Sequence, residues 1–522
     1  MNKHLTKTLS FMLLCTCTAM SEAASVPNDP YFQSKGSWTQ DFADQWSLDA
    51  LRVYAQSALT VTQPANSERV VVAVIDTGID YTHPDFAAEQ LWRNTREQNN
   101  GRDDDGNGFV DDLIGWNFVD GNNNPWDQSG HGTHIAGLIA ACTDNGIGIT
   151  SINPDALIMP LKVANFVGQA RSSAVAAAIY YAVNHGAKVI NLSLGGEVVT
   201  QLERDAAQHA FDHNVLIVVS AGNRGLNAQQ NGYTTLPGVL VVGASDLNDQ
   251  RAGFSNFGTA VEVLAPGVDI LSLRAQDTDF IALTKPQDYS SGAAVVGGDA
   301  NYYRASGTSF ATAHVSGLAS RLLTLRPELN AQDIHQMLAQ SAIDVGAEGV
   351  DQQSGYGRVD LVRALGAEPN KYIDARLTGV DLELKEEEIW LHVLGSARAD
   401  QFELAELTVR AIEGSVPQVV EQEDKKRSSK KDTELDTQQE FVGVNPYDWQ
   451  PFIWPSKTPV VENTIGSMSL NRLMEMTHGS TEWELRLIVR HQDGRSRESR
   501  LQMALPVPEQ IAQNVQGGSS EN

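Results

Sequence analysis

The chain has 522 residues, 41% of them hydrophobic, which is too long for one ordinary domain and predicts a large core unit with an accessory module. Its 65 acidic against 38 basic residues give a formal charge of −27, a surface that repels backbone phosphates and argues against nucleic acid as a partner. Beyond the N-terminus no run of about eighteen apolar residues occurs, so no membrane span is expected.

Lys3 and Lys7 precede the apolar stretch Leu9–Cys17, and Ser21-Glu22-Ala23 supplies small residues before a cleavage point. Residues 1–23 therefore read as an export signal, and the protein as secreted, extracellular or periplasmic. Lipid anchoring at Cys17 is the lesser reading, because Thr16 fits that pattern poorly. Cys15 and Cys17 lie within the signal, which leaves Cys142 alone and predicts a mature chain without an internal disulfide. Residues 24–46 form an N-terminal extension ahead of the core unit at 47–367.

Val70-Val71-Val72-Ala73-Val74-Ile75 is a continuous apolar, mostly β-branched run, the pattern of a strand buried on both faces. Similar runs follow at Ala156–Val163, Lys188–Leu192, Val215–Val219 and Val239–Val242, with helical stretches such as Ser172–His185 and Leu202–His213 between them. Alternating strands and helices predict an α/β fold, a mostly parallel sheet with helices on both faces. Sites in such folds gather beyond the carboxyl ends of the strands.

After residue 367 the pattern changes. Val380, Leu382 and Leu384 alternate with polar residues, as do Ile389, Leu391 and Val393, then Trp483, Leu485, Leu487 and Val489, then Leu501, Met503 and Leu505. Half-buried antiparallel strands have this alternation, so 368–509 is expected to be a β-sandwich-like accessory domain. An insertion over 415–440, rich in Glu, Lys, Ser and Asp, reads as disordered, and 510–522 as a polar tail.

Three stretches carry chemistry. Val74-Ile75-Asp76-Thr77-Gly78 puts a carboxylate at the end of a buried strand; Gly130-His131-Gly132-Thr133-His134 leads into an apolar helix; Ser306-Gly307-Thr308-Ser309-Phe310 places a serine where a turn becomes a helix. A serine hydroxyl needs a base to become a nucleophile, histidine serves near neutral pH, and a buried carboxylate fixes the histidine tautomer. A helix N-terminus adds free N–H groups for a developing oxyanion. Singly, each residue has a plainer reading: a turn cap, a core histidine, an N-cap.

Together the stretches resemble the subtilase family of serine proteases, with its Asp, His and Ser motifs in the family's order, over roughly Asn28 to Leu365. The resemblance implies a serine endopeptidase acting on polypeptides through an acyl-enzyme, with Ser309 as nucleophile, His131 as general base and Asp76 as orienting acid. It implies that Asn223, in Ser220-Ala221-Gly222-Asn223, donates to the oxyanion. Losing such a donor in subtilisin costs about 10²–10³ in turnover. It further implies that Ser193-Leu194-Gly195 pairs with the extended substrate, that Ser220-Ala221-Gly222 forms the opposing wall, and that Gly232 is the base of the S1 pocket. His134 is structural in the family. Phe310 and Ala313 replace the family's usual Met and Pro, and Leu273–Ala305 is longer than in short members, forming a surface loop near the site.

Asp103-Asp104-Asp105-Gly106-Asn107-Gly108 contains D-x-D-x-N-G, the first half of an EF-hand loop, but Ile114 stands at position twelve. A structural calcium ion held by Asp103, Asp105, Asn107 and Asp112, with Asp111 as the alternative late ligand, is expected, as in similar family insertions; an acidic solvated loop is the plainer reading. Asp85 matches a ligand of another family calcium site whose partner loop around Asn145 is altered. No organic cofactor is expected. Cys142 lies eleven residues after His131, about 16 Å along one helix, so it reads as a buried structural thiol. Arg224 follows Asn223, a position that the resemblance places at the rim of the S1 pocket, and this implies a preference for acidic P1 side chains, or at least a bias against Lys and Arg. The short distance from Ala23 to Val70 predicts no N-terminal inhibitory prodomain, with folding helped by calcium, the C-terminal domain or a separate chaperone. Rival readings are an inactive protease-like scaffold and a zinc hydrolase using His131 and His134, which lacks an H-E-x-x-H motif.

Overall fold

The computed structural model describes residues 26–64, 68–283, 289–416, 445–453 and 455–504. The export signal, nearly all of the 415–440 insertion, Leu505 and the 510–522 tail lie outside the described residues.

The apolar runs form a seven-stranded sheet. Its strands are β1 (Val71–Asp76), β2 (Trp116–Asn117), β3 (Leu157–Lys162), β4 (Val189–Leu192), β5 (Leu216–Ser220), β6 (Leu240–Ser245) and β7 (Val263–Pro266), in the order β2-β3-β1-β4-β5-β6-β7. All neighbours pair in parallel. Because successive side chains point to opposite faces, β1 divides its apolar residues between two cores. Val72 and Val74 join the helices His131–Ala140 and Thr308–Leu325, while Ala73 and Ile75 join Ser172–Asn184 and Gln201–Asp212. This two-sided burial is why the strands read as unbroken apolar runs.

The N-terminal extension is part of this packing. Trp46 is a core residue, Tyr31, Phe32, Trp38 and Phe42 pack against the core, and Asp29, fully buried, accepts the Asp144 and Asn145 N–H groups. A small antiparallel sheet, β8 (Ile270–Leu273), β9 (Val295–Val296) and β10 (Tyr302–Ala305), leads into the Ser309 helix.

The C-terminal region forms two antiparallel sheets. One is β11 (Ile373–Lys385), β12 (Glu388–Ala399) and β15 (Val460–Ser469); the other is β14 (Gln450–Pro451), β13 (Phe402–Ala411), β16 (Glu482–His491) and β17 (Ser496–Ala504). They share a core that includes Leu391, Val393, Leu407, Val409, Trp483, Leu485, Leu487 and Val489. One alternating segment behaves differently from its pattern. Leu382 and Leu384 are 39% and 57% exposed, because β11 runs on past the core as a ribbon paired with β12; Ile373, Ala375 and Leu377 are the residues it buries.

The two parts are joined by directional contacts. Val350 and Ser499 form a parallel bridge, Arg497 donates to the Gln340 carbonyl at 2.9 Å, and Tyr356 donates to Asp374 at 3.2 Å.

Candidate active site

β1 ends on Asp76, which is fully buried. The helix His131–Ala140 begins beside it, and His131 Nδ1 donates to Asp76 Oδ1 at 2.8 Å. Two glycines permit this approach. Gly132 passes so close to the Gly78 carbonyl that any Cβ there would collide, and Gly130, at φ +102, adopts a conformation that L side chains rarely take. Burial works against charging His131, but the Asp76 carboxylate and its hydrogen bond, with a further contribution from Asp127, outweigh it and raise the pKa above 6.5.

Asp127 was not singled out by the sequence motifs, yet it organises the turn. Its Oδ1 accepts the Ser129 and Gly130 N–H groups and the Thr77 hydroxyl; its Oδ2 accepts the Thr133 N–H and hydroxyl, all between 2.7 and 2.9 Å. These are free donors of the helix start, so Asp127 acts as an upstream cap that also ties the His131 helix to the loop after β1. Its place just before Ser-Gly-His is the signal that could have found it. Lys162, 1% exposed within β3, donates to the Thr77 carbonyl at 2.5 Å.

His134 points away from the site. Its Nε2 faces the backbone carbonyls of Tyr303 (3.0 Å) and Ile270 (3.2 Å), so that nitrogen carries the proton and offers no lone pair to a metal. Burial, with the nearby His131, pushes its pKa down to about 3.

Ser309 is the second residue of an 18-residue helix and is 8% exposed. In the first turn its N–H has no intrahelical acceptor. Phe310, the next residue, has its ring 5.7 Å from His131 and 4.5 Å from His134, so the helix start lies beside the imidazole. The Asn223 carboxamide is locked by Thr308, whose N–H and hydroxyl both donate to Oδ1 at 2.8 Å. An N–H can only donate, so the atom it meets must be the oxygen, and Nδ2 is left to face the serine turn. Asn256 holds the same loop, donating to the Ala221 carbonyl at 2.9 Å and accepting the Arg224 and Leu226 N–H groups.

The two expected substrate walls follow the neighbouring strands β4 and β5. Ser193 donates to the Ser309 carbonyl at 3.1 Å, Leu194 is buried, and Gly195 is exposed with open space around it. Ser220 and Ala221 are buried at the end of β5, and the Gly222 N–H donates to the Thr308 hydroxyl at 3.2 Å. Asn231 and Gly232 staple the walls together: Gly232 N–H donates to the Gly196 carbonyl at 2.6 Å, and Asn231 Nδ2 to the Ser220 carbonyl at 2.9 Å. Arg224 pairs with Glu197 at 3.1 Å, so a carboxylate beside the first wall already faces its guanidinium. Both partners are exposed, so Glu197 competes weakly with a substrate carboxylate for Arg224.

In the acidic loop, Asp103 and Asp105 come together with Glu97, their ligand atoms within 4.8 Å of one another, the one such group among the described residues. Glu97 lies outside the D-x-D-x-N-G stretch, and its carboxylate also accepts the Asp104, Asp105 and Asp111 N–H groups. Asp112 is fully buried, accepting from Tyr181 at 2.6 Å, Asn94 at 2.8 Å and Asn107 at 3.0 Å. Asn107 turns its amide N toward Asp112 and its Oδ1 to the Phe109 N–H. Asp85 accepts from Asn145, Ile149 and Tyr302, and burial raises its pKa to about 7. Cys142 is half-buried rather than fully so, lies past the end of the His131 helix, and contacts the Ala87 N–H and Gln90 Oε1; burial raises its pKa.

Known proteins share this framework. Residues 67–357 match the subtilase family. The chain is 33% identical over 343 residues to a thermophilic serine proteinase of Bacillus sp. (strain AK1), covering 66% of this chain and 70% of that one. It is 30% identical over 339 residues to thermitase of Thermoactinomyces vulgaris, covering 65% and 99%. Fervidolysin of Fervidobacterium pennivorans is 35% identical over 329 residues, 61% of this chain but only 43% of that one. A parallel sheet whose strand ends gather an aspartate, a histidine and a helix-borne serine, matched over more than half the chain, has one account: this protein belongs to the subtilase family and is a serine-type endopeptidase.

Proposed function

We propose that the protein is an exported endopeptidase that cleaves polypeptides through an acyl-enzyme on Ser309. Ser309 Oγ attacks the scissile carbonyl carbon while His131 Nε2 takes its proton, and Asp76 holds the imidazolium at Nδ1. The carbonyl oxygen becomes an oxyanion that receives the Asn223 Nδ2–H and the Ser309 N–H. Collapse breaks the C–N bond, His131 protonates the leaving amine, and water repeats the sequence to free the acid. Ser193-Leu194-Gly195 offers backbone to an extended substrate, with Ser220-Ala221-Gly222 opposite. The observation that carries this reading is the Asp76–His131 hydrogen bond at 2.8 Å, with Phe310, the neighbour of Ser309 at a helix N-terminus, 5.7 Å from the imidazole.

Calcium supports the fold through the acidic loop in this reading. Glu97, Asp103 and Asp105 are a hard-oxygen donor set that suits calcium, with Asp112 and Asn107 bracing the loop from behind. No helix among the described residues is long and apolar enough to cross a membrane. Ser309→Ala tests the function: turnover should fall by several orders of magnitude in a folded protein. A serine-directed phosphonylating reagent should inhibit the enzyme and a zinc chelator should not. Undiminished hydrolysis by Ser309→Ala refutes the assignment.

A further inference from the structure

The chain between β8 and β10 carries an insertion, residues 274–301, that returns to the strand leading into the Ser309 helix. Its described part is organised by Asp279. That carboxylate accepts the Tyr303 hydroxyl at 2.5 Å, the Gly292 N–H at 2.7 Å, and the Ala282 N–H and Tyr289 hydroxyl at 3.1 Å. Tyr303 is 1% exposed in β10, so the hub ties the loop to the core as well as to itself.

The residue after this hub is Phe280. Its ring lies 5.7 Å from His131, edge-on at 84°, 4.7 Å from Tyr303 and 6.3 Å from Phe310. Thr278 and Phe280 lie over Gly130, the turn residue just before His131. Phe280 nevertheless stays partly exposed, so it is not simply a core residue.

The chemistry says what meets this ring. His131 must deliver a proton to the leaving amine, so the residue bearing that amine, P1′, lies against the imidazole during acylation. The walls at Ser193–Gly195 and Ser220–Gly222 serve the acyl side. The described ring contacts of Phe280 are instead with His131, His134, Tyr303 and Phe310. We infer that Phe280, together with Phe310, forms an apolar wall on the leaving-group side that selects large apolar residues at P1′, and that Asp279 is the positioning residue that holds it there. This inference rests on the proposed function.

The test uses the purified full chain and two sets of fluorogenic peptides, one varied only at P1′ (Gly, Leu, Phe, Asp) and one only at P2. The unaltered enzyme should favour Leu and Phe over Gly at P1′. Phe280→Ala should shrink that ratio of kcat/KM about fivefold, less than an enclosed pocket would give, because the ring stays partly exposed. Phe280→Leu should fall between the two, and Asp279→Asn should lower the ratio with Phe280 intact. Because both peptides of a ratio meet the same enzyme, a loss of folded fraction does not move it. If Phe280→Ala does not fold, Phe280→Leu decides: an unchanged P1′ ratio overturns the inference. It is also overturned if the change appears only in the P2 set. Hydrolysis that persists undiminished in Ser309→Ala refutes the proposed function instead, a result distinguishable from a failure at Phe280.

Discussion

Thr308→Val isolates the device that aims Asn223. Thr308 is fully buried, and its hydroxyl donates to Asn223 Oδ1 at 2.8 Å while accepting the Gly222 N–H at 3.2 Å. Valine keeps the shape and removes both bonds. The Gly222 N–H then lacks this acceptor, which should cost about 1–3 kcal/mol of stability. Asn223 keeps the second anchor, the Thr308 N–H at 2.8 Å, so the carboxamide loosens without being lost. Deleting an oxyanion donor outright costs about 10²–10³ in kcat. Losing one of two anchors should cost about tenfold, or about 1.4 kcal/mol of transition-state stabilisation. KM should change little, because in the proposed mechanism the backbone of Ser193-Leu194-Gly195, not Asn223, binds the peptide. Steady-state kinetics on one peptide, normalised by active-site titration, measure both constants, and Thr308→Ser should restore kcat. In an Asn223→Ala background Thr308→Val should have no further effect on kcat. An equal tenfold loss in both backgrounds would show that Thr308 acts through something other than Asn223.

The buried histidines set an acid limit on stability. His134 and His314 have pKa values pushed down to about 3 and about 4 by burial, from 6.5, so the stability they hold is complete above pH 6.5 and is lost as pH falls below it, toward about 4 for His314 and about 3 for His134. Urea midpoints at pH 7.5, 5.5 and 4.5 should decline in that order, and His314→Gln should flatten the decline; a flat profile in the parent protein contradicts the burial argument. Calcium at a hundredfold excess over its Kd should stabilise the fold by about 2.7 kcal/mol. Chelation should therefore lower Tm, and Asp103→Ala/Asp105→Ala or Glu97→Gln should abolish the shift; equal melting with and without chelator rules the site out. Glu197→Gln should release Arg224 and raise the preference for P1 Glu over P1 Gln. Both partners are exposed, at 53% and 74%, so the gain should be at most about fivefold at low salt and fade at high salt. An unchanged ratio means that Arg224 does not reach P1.

The central sheet was legible because strands buried on both faces must be apolar at every position, and β1 and β3 to β6 fall on the runs that announced them. The Asp76, His131 and Ser309 stretches were legible because each is a local turn whose glycines and flanking apolar residues are contiguous in the chain. Where the pattern misled, at Leu382 and Leu384, alternation marked a true strand but could not say which end of it meets a partner sheet. Asp127 reaches back to the Thr77 hydroxyl, Thr308 aims an amide 85 residues away, and Glu97 joins Asp103 and Asp105 from outside their motif. Arg224 meets Glu197, 27 residues earlier, and Phe280 reaches His131 from an insertion that carried no motif. Periodicity and short motifs record what one segment needs from its own backbone. Which polar groups satisfy one another, and which ring meets the imidazole, follows from the crossing of distant segments, and that only the tertiary structure decides.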